Sequence, residues 1–451
     1  MQSKDIVVIG GGPAGYAAAI RAAQLGAKVT LIEQTSLGGT CVSRGCIPVK
    51  ALVRAAELVD LGKSARDYGI NYQETGVDFP KMMARKDTVV KTVTSGVKLL
   101  LEGNGVALVS GSARFLSPSE LHVALTDGTV SSISPRRTII ATGAKPFVPD
   151  GLNGLGTRVV TTDDALSLTR IPGSMLIIGG GFIGLAFATI FCRLGTKVTV
   201  VEQSTRLLPE IDGEIVSVLE KELKKNKVQI VLAYSSSGVT PPTDSEVVLV
   251  ADSRRANVDG LGLERAGVTL SEKGGIKVNN KMETGVPSIF AAGDVTMQFM
   301  FTHVAYAQGI AAAENAVGKD SRVDYSVVPL CTNTLPEIGS FGLTEEKARE
   351  QGYSVKVGKF PMAANAAATV LGQRTGLIKI ISDEKYGQVL GAHVVGPQAS
   401  NLISEIALAA KLEATPSDIA SLMHAHPTLA EVSWEAALDS SGRAIHMLSE
   451  K

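Results

Sequence analysis

Cysteine is scarce: the 451 residues carry four, and in a reducing compartment four make no structural disulfide framework. Net charge is lacking too. Lysine plus arginine number 44 and aspartate plus glutamate 44, which excludes a general electrostatic attraction to nucleic acid or to an anionic membrane surface. No apolar run is long enough to span a bilayer. Met1 to Asp5 lead straight into a strand-like Ile6 to Ile9 without a signal-peptide pattern, so a cytoplasmic-type protein is expected. Isolated cysteines also argue against zinc, because Cys192 and Cys331 sit in helix-like and strand-like stretches away from the other two, and no metal site is expected. Cys192, on an Ala-rich helix, reads as a small core residue.

What is present is a chain of ordinary globular composition, 45% hydrophobic and 20% charged. It is too long for one hydrophobic core and of a length for about three domains. The other two cysteines, Cys41 and Cys46, share one short stretch, GGTCVSRGCIPVK, from Gly38 to Lys50. Four residues separate them. In a regular helix their Cα atoms would lie beyond the roughly 4.4 to 6.8 Å that a disulfide tolerates. A bond therefore requires a looped or distorted segment, which Gly45 permits and Pro48 ends. So small a ring removes only about 2 kcal/mol of unfolded-chain entropy. It is a weak staple and suits a disulfide that opens and closes repeatedly.

Residues 6–34, IVVIGGGPAGYAAAIRAAQLGAKVTLIEQ, read as a buried strand, a glycine turn, an Ala-rich helix and a second strand ending on an acid. Gly10, Gly12 and Gly15 form G-x-G-x-x-G, in which the glycines allow a tight turn, close approach of backbone to a pyrophosphate, and close packing of helix on strand. Glu33 falls where a carboxylate accepts hydrogen bonds from a ribose. The module recurs. Residues 175–203 match residues 6–34 at a constant offset of 169 with 14 of 29 positions identical, and Gly179, Gly181, Gly184 and Glu202 repeat the pattern in register. Two dinucleotide sites in one chain suggest two cofactors exchanging electrons. At the second, the Glu202 carboxylate repels a 2′-phosphate and favours NAD over NADP, with Arg206 as the one nearby residue of opposite tendency.

Between the copies, helical stretches around 51–61 and 81–101 precede strands that end in TIIATGAKPFVP, residues 138–149, a hinge into the second module. After the second copy come an amphipathic helix over 214–226, strands over 228–233 and 246–251, and a strand closing on Gly293 and Asp294. From about residue 321 the pattern turns to alternating strands and a helix over 401–412, a third domain of mixed α and β type. It contains HAHPTLAE, residues 424–431. His426 precedes a proline and is extended, while Thr428 and Glu431 have capping-box spacing. A dithiol cycle needs a base that titrates near neutral pH, and His426 meets that need.

These motifs, with ATG at 141–143 and AAGDV at 291–295, resemble the FAD-dependent pyridine nucleotide disulfide oxidoreductases over nearly the whole chain, and within them most the dihydrolipoamide dehydrogenase branch. The resemblance implies an α/β fold of two Rossmann-like FAD/NAD(P)-binding domains and a C-terminal α+β interface domain that makes a homodimer. The implied boundaries are 1–145 with 257–320 for FAD, a shortened 146–256 for NAD, and 321–451 for the interface. It implies FAD held by Gly10, Gly12, Pro13, Ala14, Gly15, Glu33, Gly39, Thr40, Lys50, Ala113, Thr142, Gly143, Gly293, Asp294, Met300, His303 and Ala305. NAD is implied at Gly179, Gly181, Phe182, Ile183, Gly184 and Glu202. In that scheme Cys41 exchanges with the substrate, Cys46 lies against the flavin, and His426, oriented by Glu431, reaches across from the partner subunit. The implied partner is a lipoyl-bearing protein of a 2-oxo acid dehydrogenase or glycine cleavage system.

Three departures fall on the nicotinamide side. Ala186 stands where the family carries a glutamate near the flavin-side lysine, so Lys50 is expected to lose its usual partner. The stretch 228–246 is shorter than the family's β-meander, and Ser253 replaces a glycine before Arg254. Glutathione-type reductases share the two cysteines and the histidine but carry arginines where Glu202 stands and prefer NADPH. Mercuric and large thioredoxin reductases need a further thiol or selenol pair near the C-terminus, whereas the last cysteine here is Cys331. The reading from another class is a flavoprotein sensing subunit that no longer turns over NADH.

Overall fold

The computed structural model describes residues 4–71, 76–150, 152, 158–233, 245–252 and 254–448. Strand β1 (Lys4–Ile9) carries IVVI, buried on both faces. That is why it reads as a continuous apolar run and not as an alternation. Helix α1 (Pro13–Gln24) crosses to β2 (Val29–Glu33), which pairs parallel to β1 with Ile6 opposite Val29 and Ile9 opposite Ile32. The sheet continues through Ala107–Ser117 and two further antiparallel strands on one side. On the other side it continues through Pro135–Ile140 and, last, the distant Ile289–Ala291. Helices α2 (Gly39–Arg44) and α3 (Cys46–Ser64) follow β2 with one residue between them.

The second copy repeats this plan. Strand β3 (Ser174–Ile178), helix α4 (Phe182–Arg193) and strand β4 (Lys197–Val201) lie in a five-stranded parallel sheet with Gln229–Val231, Val247–Val250 and Val159–Thr161. A two-stranded antiparallel ribbon, Ala144–Pro146 against Arg254–Ala256, marks where the chain leaves the first unit and returns to it. The expected shortened stretch lies largely at residues 234–244. Those positions and Ser253 fall outside the described residues.

The C-terminal unit is a five-stranded antiparallel sheet that includes β5 (Glu337–Gly342), with α5 (Ala399–Lys411) and α6 (Glu431–Asp439) packed on it around Phe341, Phe360, Ile378, Val394, Ile403 and Val432. The helix read over 401–412 is α5, begun two residues earlier.

Two features decide how these units hold together. The small residues of α1 pack on the Thr302–Ala316 helix with backbones in contact: a Cβ at Gly309 would lie 2.2 Å from the Ala14 carbonyl oxygen. The second is a buried charge cluster between the second module and the C-terminal sheet. Lys379 Nζ reaches Asp212 at 3.0 Å, Glu214 at 3.2 Å and Glu345 at 2.8 Å. Burial alone would raise the Asp212 and Glu345 carboxyls, but Lys379 overrides it and both sit low; Lys379 is held high by the same partners against its own burial. The cluster therefore stabilises fully between the carboxylate and lysine ranges and weakens as pH falls through the depressed carboxyl values. Lys379→Met strands three carboxylates and should cost about 3 to 5 kcal/mol at neutral pH, with a smaller loss in acid. Urea unfolding at pH 7 and pH 4 measures both.

Candidate active site

The dithiol owes its geometry to Gly45. With φ −145° and ψ −114° it breaks the helix between α2 and α3, and a Cβ there would lie 3.0 Å from the Thr40 carbonyl oxygen. The break turns Cys41 and Cys46 toward each other, close enough that each thiol shifts the proton affinity of the other. Pro48 lies in the first turn of α3, where its missing N–H costs nothing. Cys46 opens α3 and its sulfur lies 3.5 Å from the Thr302 hydroxyl.

The Cys41 thiol pulls Cys46 well below the usual thiol range, against burial and with help from Thr302. Cys41 is pushed far up, first by the Cys46 thiol and then by burial. One proton is thus shared with the thiolate on Cys46, which a helix N-terminus favours. The Cys46 side chain can be reached from the cleft, yet protein packs around it closely enough to desolvate it.

This segment is fastened to the first glycine turn. Gly38 donates its N–H to Gly11 O at 2.8 Å, and a Cβ on Gly39, whose φ is +56°, would lie 2.6 Å from Gly12 Cα. Thr40 stands between Gly39 and Cys41 on α2. In the turn itself, a Cβ at Gly10 would lie 2.3 Å from Ala141 O, and one at Gly15 would lie 1.8 Å from Gly10 O. Gly12 is the N-cap of α1 with no side-chain cap, followed by Pro13 and Ala14, so the helix leaves its first N–H groups to a ligand.

Glu33 accepts from Gly11 N at 2.6 Å and Thr35 N at 2.7 Å. Glu202 does the same in the second module, from Gly180 N at 2.7 Å and Ser204 N at 2.8 Å. There a Cβ at Gly184 would lie 1.9 Å from Gly179 O, and Gly181 is the uncapped N-cap of α4. Arg206 is turned away, bonded to Glu346 at 3.0 Å and Pro209 O at 2.9 Å.

Asp294 follows Gly293 at the rim of the first cleft and couples electrostatically to both cysteines; burial raises its carboxyl, opposed by Arg254. Thr142 bonds Asn257 O at 2.8 Å beside Gly143, and Ala113 is buried in its strand. Met300 and His303 are exposed and Ala305 is buried near the start of the Thr302–Ala316 helix. Phe301 meets Phe182 edge to face at 5.8 Å, bringing the α4 turn with the exposed Ile183 up to this edge.

His426 is on the C-terminal unit, its side chain 70% exposed, with Nδ1 2.9 Å from Glu431 Oε1. The other Glu431 oxygen accepts the Thr428 N–H at 2.9 Å. Helix α6 opens at Glu431 itself with Ala430 as an N-cap that carries no side-chain cap, so the carboxylate orients His426 and ties down the Thr428 loop without capping the helix. Thr428 turns its hydroxyl to Ala425 O, and the expected capping box does not form at the helix start. Among the described residues, no hydrogen bond or ion pair joins His426 to the dithiol within one chain.

Family models for the pyridine nucleotide-disulphide oxidoreductases match residues 4–309, and for their dimerisation domain residues 328–437. The chain belongs to the pyridine nucleotide-disulphide oxidoreductases.

This oxidoreductase is 42% identical over 468 residues to the dihydrolipoyl dehydrogenase of Thermus scotoductus, with all of both chains covered. It is 40% identical to the mitochondrial dihydrolipoyl dehydrogenase 2 of Arabidopsis thaliana, over 98% of this chain and 91% of the other. The crystal structure of LpdA from Mycobacterium tuberculosis superposes with a TM-score of 0.88 at 28% identity, covering 96% of this chain and 99% of that one. The family uses FAD and NAD(H), and the oxidoreductase is an FAD-dependent enzyme of disulfide exchange. Its own residues fit both groups: two glycine cradles that a Cβ would fill, two uncapped helix N-termini, and two acids fixed at the ribose position.

With Ala186 in place of the family's glutamate, Lys50 takes a different partner: its ammonium pairs with Glu337 at the start of β5. Glu337 went unmarked in the sequence, and Thr302 was marked only within the stretch 300–305 expected to border the flavin, because they lie 287 and 256 residues from Lys50 and Cys46 and no local spacing connects them. No helix of the described residues is long and apolar enough to cross a membrane, and none of their His, Cys, Asp and Glu form a group that could hold a metal ion.

Proposed function

We propose that this enzyme oxidises a dihydrolipoamide carried by the lipoyl protein of a 2-oxo acid dehydrogenase or glycine cleavage system, in a cytoplasmic-type compartment, with NAD⁺ as acceptor. For this purpose residues 1–145 with 257–320 hold FAD, 146–256 hold NAD, and 321–451 form the interface of a homodimer. The observation that carries the reading is the thiol pair fastened to the first glycine turn, with Cys46 opening α3 beside the Thr302 hydroxyl.

The Cys41–Cys46 disulfide is the resting oxidant. A substrate thiol gives its proton to Nε2 of His426, whose Nδ1–H is held by Glu431, and the thiolate attacks Cys41 Sγ. One S–S bond forms as the Cys41–Cys46 bond breaks, and Cys46 leaves as the stabilised thiolate. The second substrate thiolate then displaces Cys41, which takes up a proton, and cyclic lipoamide departs. Two electrons and two protons have moved from substrate to protein. FAD and NAD⁺, when bound, supply the chemistry that carries the electrons onward. Asp294, Lys50 and Thr302 line the way to the first cleft, and Glu33 and Glu202 accept from the two riboses. The Arg206 guanidinium is engaged by Glu346 and the Pro209 carbonyl, which supports NAD over NADP at this module.

Anaerobic mixing of the holoenzyme with dihydrolipoamide and then NAD⁺ tests this directly. Bleaching of the flavin followed by NADH formation is expected. Bleaching without NADH would make the chain a sensing flavoprotein, and no bleaching would remove dihydrolipoamide as the substrate.

A further inference from the structure

We propose that Glu337 is a positioning residue that sets the charge of Lys50 beside the flavin, so that the counter-ion of the flavin-side lysine comes from the C-terminal unit and not from the second nucleotide module. The inference rests on the reading of Lys50 as a flavin neighbour and goes beyond it.

Lys50 rides on α3, four residues after Cys46. The nearest turn of the second module offers it no charge: Ala186 is 2% exposed and closed into one apolar core with Val49, Leu52 and Val53 of α3. The same core takes in Ile338, the residue after Glu337, which brings the first residue of β5 up to α3 from the opposite unit. Glu337 is the fixed member of the pair. Its side chain is 15% exposed against 50% for Lys50. Its second oxygen accepts from the Ser400 hydroxyl at 2.6 Å and, more distantly, from the Ser400 N–H at 3.4 Å, at the start of α5. A carboxylate held at one end by a helix start presents its other oxygen in one direction, and Lys50 meets it there. Cys331, on the strand paired to β5, senses both charges. Burial pushes its thiol up to about 11, Glu337 pushes the same way, and Lys50 pulls it back.

A paired lysine presents a nearly cancelled charge to the ring, whereas a bare ammonium favours the more electron-rich, reduced ring. Loss of Glu337 should therefore make the flavin easier to reduce. The test is the two-electron midpoint potential of the bound flavin, titrated anaerobically in four holoenzymes: wild type, Glu337→Gln, Lys50→Met and the double variant. Glu337→Gln is expected to move the equilibrium about tenfold toward the reduced flavin, which for two electrons is about 30 mV upward. Lys50→Met should move it downward, and adding Glu337→Gln to Lys50→Met should change little further.

Each outcome decides. If Lys50→Met leaves the potential unmoved, Lys50 is not beside the flavin and the reading beneath this inference falls. If Lys50→Met moves it but Glu337→Gln does not, only the role of Glu337 falls. An equal shift by Glu337→Gln in both backgrounds would show that Glu337 does not act through Lys50, and would also overturn it. Should Glu337→Gln not fold, Glu337→Asp keeps the charge but withdraws it by one methylene, and a smaller shift of the same sign is then expected.

Discussion

Cys41→Ser and Cys46→Ser should each lose dihydrolipoamide-driven NAD⁺ reduction by about a thousandfold or more, the scale on which removing an obligatory nucleophile acts. The two variants should nevertheless differ in colour. Cys46 is the sulfur drawn below the usual thiol range, by the neighbouring Cys41 thiol and by the Thr302 hydroxyl, and it opens α3. A thiolate packed against an oxidised flavin gives long-wavelength absorbance. Cys41→Ser leaves that thiolate in place and should show the band without added reductant, while Cys46→Ser should lack it in every state. A band that survives Cys46→Ser would place the charge on the wrong sulfur and reverse the roles assigned to the pair.

The second large effect belongs to the base. His426→Gln should lower kcat by about 10² to 10⁴, the range for removing a general acid–base group, with little change in flavin content. Glu431→Gln should cost about tenfold, because the amide still accepts from Thr428 and a neutral partner only weakens the hold on Nδ1. Its pH signature follows from the folded carboxyl. Burial would raise Glu431, but the Thr428 N–H and His426 override it and leave the group low. A depressed carboxylate contributes fully above the ordinary carboxylate range and is lost as pH falls through the lower, folded value. Between pH 5 and pH 8 the deficit of Glu431→Gln should therefore be constant, and it should shrink only in stronger acid. Stopped-flow reduction by dihydrolipoamide across that range checks both variants.

How much was legible in the chain follows from how local each signal is. The two glycine turns, their terminal acids and the Ala-rich helices repeat within 29 residues. Close packing dictates Gly10, Gly15, Gly179 and Gly184, so the nucleotide modules were readable. The distorted segment between the cysteines was readable as well, since the spacing forbids a plain helix and Gly45 is the residue that interrupts it. Glu431 was half readable: the spacing suggests a cap, but the helix opens at Glu431 itself, and only the fold shows one carboxylate oxygen on His426 and the other on the Thr428 N–H. The partners of the reacting groups were not readable. Thr302 and Glu337 reach Cys46 and Lys50 from other units of the fold, and Arg206, close to Glu202 in sequence, is drawn off by Glu346 across the same kind of boundary. Local pattern names the chemistry, and long-range packing sets its charge.

The bare contact of Gly309 with Ala14 has a mechanical consequence. With no side chain between them, the helix that opens at the phosphate loop and the helix that opens at Thr302 cannot slide past each other, and they behave as one welded beam. One helix opens on the first cleft and the other opens on Thr302, 3.5 Å from the Cys46 sulfur. In the proposed electron route the spacing between them is therefore set by a stiff strut, and any give needed when the sulfurs open and close is left to the kink at Gly45.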